Sequence, residues 1–113
     1  GLRSNKSKGA DMAEMKVTVL ARFKAKNGME DQLKQAIMTC VAPTRAEAGC
    51  INYDLHQRAD DRGTLVLYEN WRSKEDLDVH LEMPYLRELK AKAGEFCSEP
   101  IEITLWEMIS KPA

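Results

Sequence analysis

Two short segments between Cys50 and Trp71 alternate apolar and polar residues and meet at the polar turn Asp60-Asp61-Arg62-Gly63. A period of two signals pleated strand, and Asp, Arg and Gly at the junction are turn chemistry. Cys50–Ala59 and Thr64–Trp71 therefore predict a β-hairpin. On the first strand Ile51, Tyr53 and Leu55 share one face, while Asn52, Asp54, His56 and Arg58 share the other. On the second, Leu65, Leu67, Glu69 and Trp71 oppose Val66, Tyr68 and Asn70. The hairpin lies within a stretch, Gly49–Tyr85, that holds both histidines, one of the two tryptophans and all three tyrosines. That concentration predicts one wall and the rim of a small-molecule pocket.

The flanking segments supply a scaffold. Lys16–Ala25 alternates and is rich in β-branched residues, with Val17, Val19, Ala21 and Phe23 on one face. Asn27-Gly28 stops that strand, and Asn27 followed by Glu30 predicts a helix start. Leu33, Ala36, Ile37, Cys40 and Val41 then recur at helical spacing until Pro43, which ends or kinks the helix. A short continuation stops at Gly49. Ser73, with Asp76 three residues on, predicts a capped helix carrying Leu77, His80 and Leu81 on one face. Pro84 suits the first turn of a further helix with Leu86, Leu89 and Ala93 inward, and Ile101–Ile109 alternates as a last strand. The order β-α-β-β-α-β is the ferredoxin-like split βαβ arrangement: an α+β fold with a four-stranded antiparallel sheet and helices on one face. A free face carrying Leu65, Leu67 and Trp71 would be a large apolar patch, so two sheets are expected to pack together in a homodimer.

Composition narrows the function classes. Residues 1–15 show no apolar periodicity and no signal-peptide core, and read as a disordered tail or expression remnant ahead of one domain, 16–113. A net charge of −1 gives no electrostatic reason to expect nucleic acid or an anionic membrane. No apolar run is long enough for a membrane helix. Three widely spaced cysteines without a CxxC point to a reducing, cytoplasmic setting rather than a disulfide framework. Two histidines without a spacing motif predict no metal site, and the chain contains no GxGxxG, P-loop or GxSxG motif.

Strand parity proposes the site. With Ile51, Tyr53, Leu55 and Tyr68 facing the helices, Asn52, Asp54 and His56 turn to the opposite face, and Glu69 and Trp71 are grouped with them as a pocket-facing set. Trp71 offers a flat wall and an indole donor. His80 and Tyr85 are rim candidates. Each residue has a plainer reading beside this one. His56 also suits a strand histidine paired with Asp54, His80 a satisfied core histidine, Trp71 core or dimer packing, and Glu69 a buried structural acceptor.

Three stretches also resemble a known family. EAGCINYDLH (47–56), YENW (68–71) and VHLEMPY (79–85) resemble the antibiotic-biosynthesis monooxygenases, and VAPTRAEAGC (41–50) is similar to their bacterial quinol-monooxygenase-like members. The resemblance spans residues 16–109. It implies a dimeric α+β barrel and, for some members, oxidation of a phenolic or quinol substrate by molecular oxygen without a cofactor. By resemblance His56 falls on a pocket histidine, Trp71 on a pocket tryptophan and Leu67 on a position that carries asparagine in the polyketide oxygenases. His80 falls on the helix bordering the pocket and also matches the heme-binding histidine of the heme-degrading branch. Tyr85 departs from the family's Pro-His and from the polyketide enzymes' arginine, and Ala21 stands where the heme-degrading branch needs asparagine.

Oxidation of a phenol requires a base, because the phenolate reduces oxygen far more readily than the neutral ring, and exclusion of water. His56 and His80 are the candidate bases, with Asp54 or Glu69 as orienting groups. Asn52, Asp54, Leu67, Glu69, Trp71 and Tyr85 are the candidate substrate-binding residues. Two alternatives stand beside the oxygenase: an isomerase of a small oxygenated metabolite using the same histidines, and a non-catalytic small-molecule or heme-binding stress protein.

Overall fold

The computed structural model describes residues 15–112. Most of the expected 1–15 tail lies outside that range. The described chain runs β1 (Val17–Lys24), α1 (Glu30–Met38), α2 (Val41–Arg45), β2 (Cys50–Arg58), β3 (Asp61–Trp71), α3 (Lys74–Leu81), α4 (Pro84–Phe96) and β4 (Glu102–Trp106). The four strands form one sheet in the order β2-β3-β1-β4, with every neighbour antiparallel. This is the expected split βαβ arrangement.

Local chemistry explains most of the boundaries. Gly28 takes a positive φ of 87°, turning the chain out of β1 where a side chain would be strained. α1 then starts at Glu30, later than the Asn27 cap suggests. No side chain caps Met29, and the Glu30 carboxylate instead accepts from the Gly28 amide at 3.0 Å. The helix breaks around Cys40, ahead of Pro43, which falls in the first turn of α2 where its missing N–H costs nothing. Ser73 caps α3 as expected, its hydroxyl accepting from the Asp76 amide at 3.1 Å, and Pro84 opens α4.

Residues paired across neighbouring strands share a face, and the register settles which face is which. Val19 pairs with Glu69, Ala21 with Leu67, Phe23 with Leu65, and Tyr53 with Glu69. All of these sit under the helices, with Leu33, Ile37, Leu77, Leu86 and Leu89 packed above them. The set expected on a free face, Leu65, Leu67 and Trp71, is therefore the core itself, each no more than 1% exposed. Tyr68 moves the other way. It pairs with Asp54 and Leu20 on the open face and is 41% exposed. A bulge between Cys50 and Asn52 drops Ile51 out of the alternation, leaving it 56% exposed. The last strand stops at Trp106, three residues before the expected Ile109.

Candidate active site

Glu47 anchors the buried polar cluster. It follows α2 in a turn closed by backbone bonds from its own N–H to the Thr44 carbonyl and from the Cys50 N–H to its carbonyl. Gly49 then passes so close to α3 that an added Cβ would lie 2.3 Å from the Asp76 Cβ. Only glycine allows that approach, which presses the capped start of α3 against the Glu47 turn. One helical turn on, His80 projects into the core and is 1% exposed.

His80 Nδ1 lies 2.8 Å from Glu47 Oε2, and the Tyr85 hydroxyl donates to the same oxygen at 2.5 Å. The imidazole is tilted over Trp71 with ring centroids 4.4 Å apart, and meets Tyr53 edge-on at 5.4 Å. Trp71 Nε1 in turn donates to Glu69 Oε1 at 2.8 Å. A chain of contacts thus runs Tyr85–Glu47–His80–Trp71–Glu69 between sheet and helices. Thr44, on α2 one turn before Glu47, is fully buried, and its hydroxyl makes no hydrogen bond among the described residues.

Burial tunes these groups. It lowers the His80 pKa, opposed by the hydrogen bond and charge of Glu47, so the ring is neutral near pH 7. With Nδ1 donating to Glu47, Nε2 is left as the basic nitrogen, and Glu47 stands ready to balance an imidazolium. Burial pushes the Glu69 carboxyl up to about 7, against the indole bond that lowers it. The Tyr53 and Tyr85 phenols are both raised, chiefly by burial, and stay protonated. An enclosed cavity of about 40 Å³ touches Tyr53, Leu67, Glu69, Leu77, His80 and Leu89. That is room for a water or two, or a diatomic gas.

The site residues expected from the sequence divide between the two faces. Leu67, Glu69, Trp71, His80 and Tyr85 belong to the buried site or its border. Asn52, Asp54 and His56 lie on the open face, paired with Asn70, Tyr68 and Val66. There Asn52 bonds Asn70 and Asp54, Asp54 pairs with Arg45 at 2.8 Å, and the exposed His56 turns Nδ1 to the Asp54 carbonyl at 3.1 Å. The two histidines therefore do not share a site. Glu47 opens the EAGCINYDLH stretch, and its only sequence signal is an acid two residues before a helix-ending glycine. No group of three or more metal-ligating side chains forms among the described residues.

The match to known proteins is decisive for the family. The model of the antibiotic biosynthesis monooxygenase family matches residues 16–92. The chain belongs to the antibiotic biosynthesis monooxygenase family. Rv0793 of Mycobacterium tuberculosis is 38% identical over 89 residues, covering 79% of this chain and 87% of the relative. YcnE of Bacillus subtilis is 25% identical over 92 residues, covering 81% and 97%. Both carry the name "Putative monooxygenase". The structure of Rv0793 superposes with a TM-score of 0.81 at 35% identity, covering 87% of this chain and 99% of that one. PA3566 of Pseudomonas aeruginosa gives the same TM-score at 26% identity, covering 87% and 98%. Family membership supports a monooxygenase-like role, and in this member the buried chain from Tyr85 to Glu69 gathers one histidine and two carboxyl groups. No helix among the described residues is long and apolar enough to cross a membrane.

Proposed function

We propose that this protein is a cofactor-independent monooxygenase that oxidises a phenolic or quinol small molecule with molecular oxygen, with His80 as the base. The carrying observation is that one small buried cavity is bordered both by a neutral histidine held at Nδ1 by a carboxylate and by a second carboxyl group titrating near neutrality. The cavity is sized for the oxygen molecule, so the substrate enters it by its hydroxyl alone; there His80 Nε2 takes the proton, and Glu47 balances the charge that forms on the imidazole. The electron-rich phenolate gives its electrons to oxygen, and a carbon–oxygen bond forms at the ring. Loss of the ring hydrogen and cleavage of the O–O bond then give a carbonyl and one water. One oxygen atom enters the product and the other leaves as water. Glu69, protonated up to about pH 7, supplies the proton for that leaving oxygen. Leu67, Trp71 and the aliphatic walls keep bulk water away.

The remaining site residues take different parts in this reading. Tyr85 and Glu47 position His80. Asn52, Asp54 and His56 belong to an interface, since a homodimer across the open face, which also carries Leu20, Tyr68 and Trp106, would cover them. The same acid and base on one cavity also suit an isomerase, and isotopic labelling separates the two readings. Under ¹⁸O₂, 1,4-dihydroxynaphthalene should gain one labelled oxygen per turnover. Turnover without label would leave proton shuttling, and no turnover across a panel of quinols would remove the oxygenase reading.

A further inference from the structure

Lys90 stands where the enclosed cavity meets a larger open groove. The groove, of about 460 Å³, runs between α4 and β4 past Ala93, Gly94, Pro100, Ile101 and Ile103. Lys90, Ile101 and Ile103 line both spaces, so a ligand moving from the groove toward His80 and Glu69 passes these three side chains. The groove exists because the helical layer stops short of the edge strand. Ile103 and Leu105 pair with Ala21 and Val19 on the helix-side face, yet remain 43% and 48% exposed.

The charges around the groove are unequal. Glu99, also on its wall, is held by Arg22 at 2.7 Å. On α4 itself Arg87 is paired with Glu82 and Lys92 with Glu88. Lys90 pairs with no carboxylate among the described residues. A lysine can lay its methylene stem along an apolar wall while its ammonium stays in water at the rim. The inner end of the passage has the opposite character. Glu69 lines it, Glu47 lies behind His80, and burial strips any entering anion of its hydration.

We propose that Lys90 determines specificity, and that the site takes flat aromatic quinols or phenols bearing a carboxylate. The ring lies on the Ile101/Ile103 wall, the carboxylate meets the Lys90 ammonium at the rim, and the reacting hydroxyl points inward to His80. This orientation follows from the charges: a carboxylate entering first would be both desolvated and repelled. The proposal rests on the oxygenase reading above for its reacting end, and on the groove and Lys90 alone for its binding end.

Anaerobic calorimetry with 1,4-dihydroxy-2-naphthoate and the neutral 1,4-dihydroxynaphthalene tests it. The native protein should prefer the carboxylate, and Lys90→Met should cut the ratio of the two affinities about two- to fivefold, the size of a rim ion pair. Lys90→Arg should keep the preference, and added salt should weaken it in the native protein. Gly94 supplies an independent check, because a Cβ there meets nothing within 4 Å. Gly94→Leu should fill the groove and weaken both ligands while the helix gains stability. An affinity ratio unchanged in Lys90→Met, or no binding of the carboxylate by the native protein, overturns the proposal. Admitting oxygen to the same samples separates the two ideas. A Lys90-dependent ratio without oxygen uptake would sink only the oxygenase reading, and uptake with an unchanged ratio would sink only the role of Lys90.

Discussion

Glu69 and Asn70 are neighbours in sequence, each 4% exposed, and they point to opposite faces of the same sheet. Asn70 accepts from the Thr18 hydroxyl at 2.6 Å and donates to Asn52 at 2.9 Å, within a ladder that continues to Asp54 and Arg45. Its polar atoms are matched by uncharged partners, and it holds three strands in register. Glu69 receives the single indole N–H of Trp71 and otherwise faces Tyr53 and an apolar cavity. A carboxylate with one donor is poorly compensated for lost water, so its proton stays on up to about pH 7. Equal burial thus gives a fully partnered amide on one face and a carboxyl that titrates near neutrality on the other. What separates them is how many partners each has.

Removing the wall of the covered face should have the largest effect. Trp71 is fully buried and carries both the His80 stack and the Glu69 bond. Trp71→Ala should cost about 3–5 kcal/mol in urea unfolding. Trp106→Ala, on the open face at 56% exposure, should stay within about 0.5 kcal/mol in the monomer. Comparable losses from the two tryptophans would mean that the open face is as much core as the covered one.

The pH dependence of stability sharpens the contrast. The folded pKa of Glu69 lies above its ordinary 4.5, so its favourable contribution is complete below about 4.5 and is lost as pH rises through about 7. The shift corresponds to roughly 3 kcal/mol. His80 has the opposite sign. Its folded pKa is lowered, so the stability its neutral form confers is present above about 6.5 and is lost as pH falls. Urea midpoints should therefore pass through a maximum on the acid side of neutrality. Glu69→Gln keeps an acceptor for Trp71 and should abolish the alkaline decline; a decline that persists would assign it to another group. The same substitution should remove the alkaline limb of the pH–rate profile.

The smallest effect should come from the rim of the open face. Asp54 and Arg45 form an ion pair whose side chains are 42% and 55% exposed, and such pairs contribute roughly 0–1 kcal/mol. Asp54→Asn should shift stability by less than that and leave quinol affinity in place. A large loss of affinity would bring the open face back into the site.

Much of the fold could be read from local pattern. The alternation of Val17 to Phe23, the Ser73 cap, Pro84 at a helix start and Gly49 just past a helix end each identify their element from a few neighbouring residues. The face assignment of β3 could not be read in this way. Its alternation correctly grouped Leu65, Leu67, Glu69 and Trp71. Alternation alone does not say which set faces the helices, and it does not show that the Trp71 indole, 2.8 Å away, satisfies the buried acid. Interstrand register decides the matter, since Tyr53 and Val19 flank Glu69 on the covered face. Glu47 was hidden for a related reason. Its importance lies in contacts with His80 and Tyr85, 33 and 38 residues away. The resemblance to the family pointed to His56 and His80 alike, and only the geometry separates an exposed strand-end histidine from a buried one held by a carboxylate.

The central claim is that the reacting groups lie between sheet and helices, with His80 as the base. Oxygen uptake on 1,4-dihydroxynaphthalene by His80→Ala and His56→Ala, compared side by side at pH 6.5 with both folds verified by circular dichroism, tests it most directly. The expected result is a fall of about 10²-fold or more for His80→Ala and a change within about twofold for His56→Ala. Uptake that survives in His80→Ala, or collapses in His56→Ala, would contradict the account.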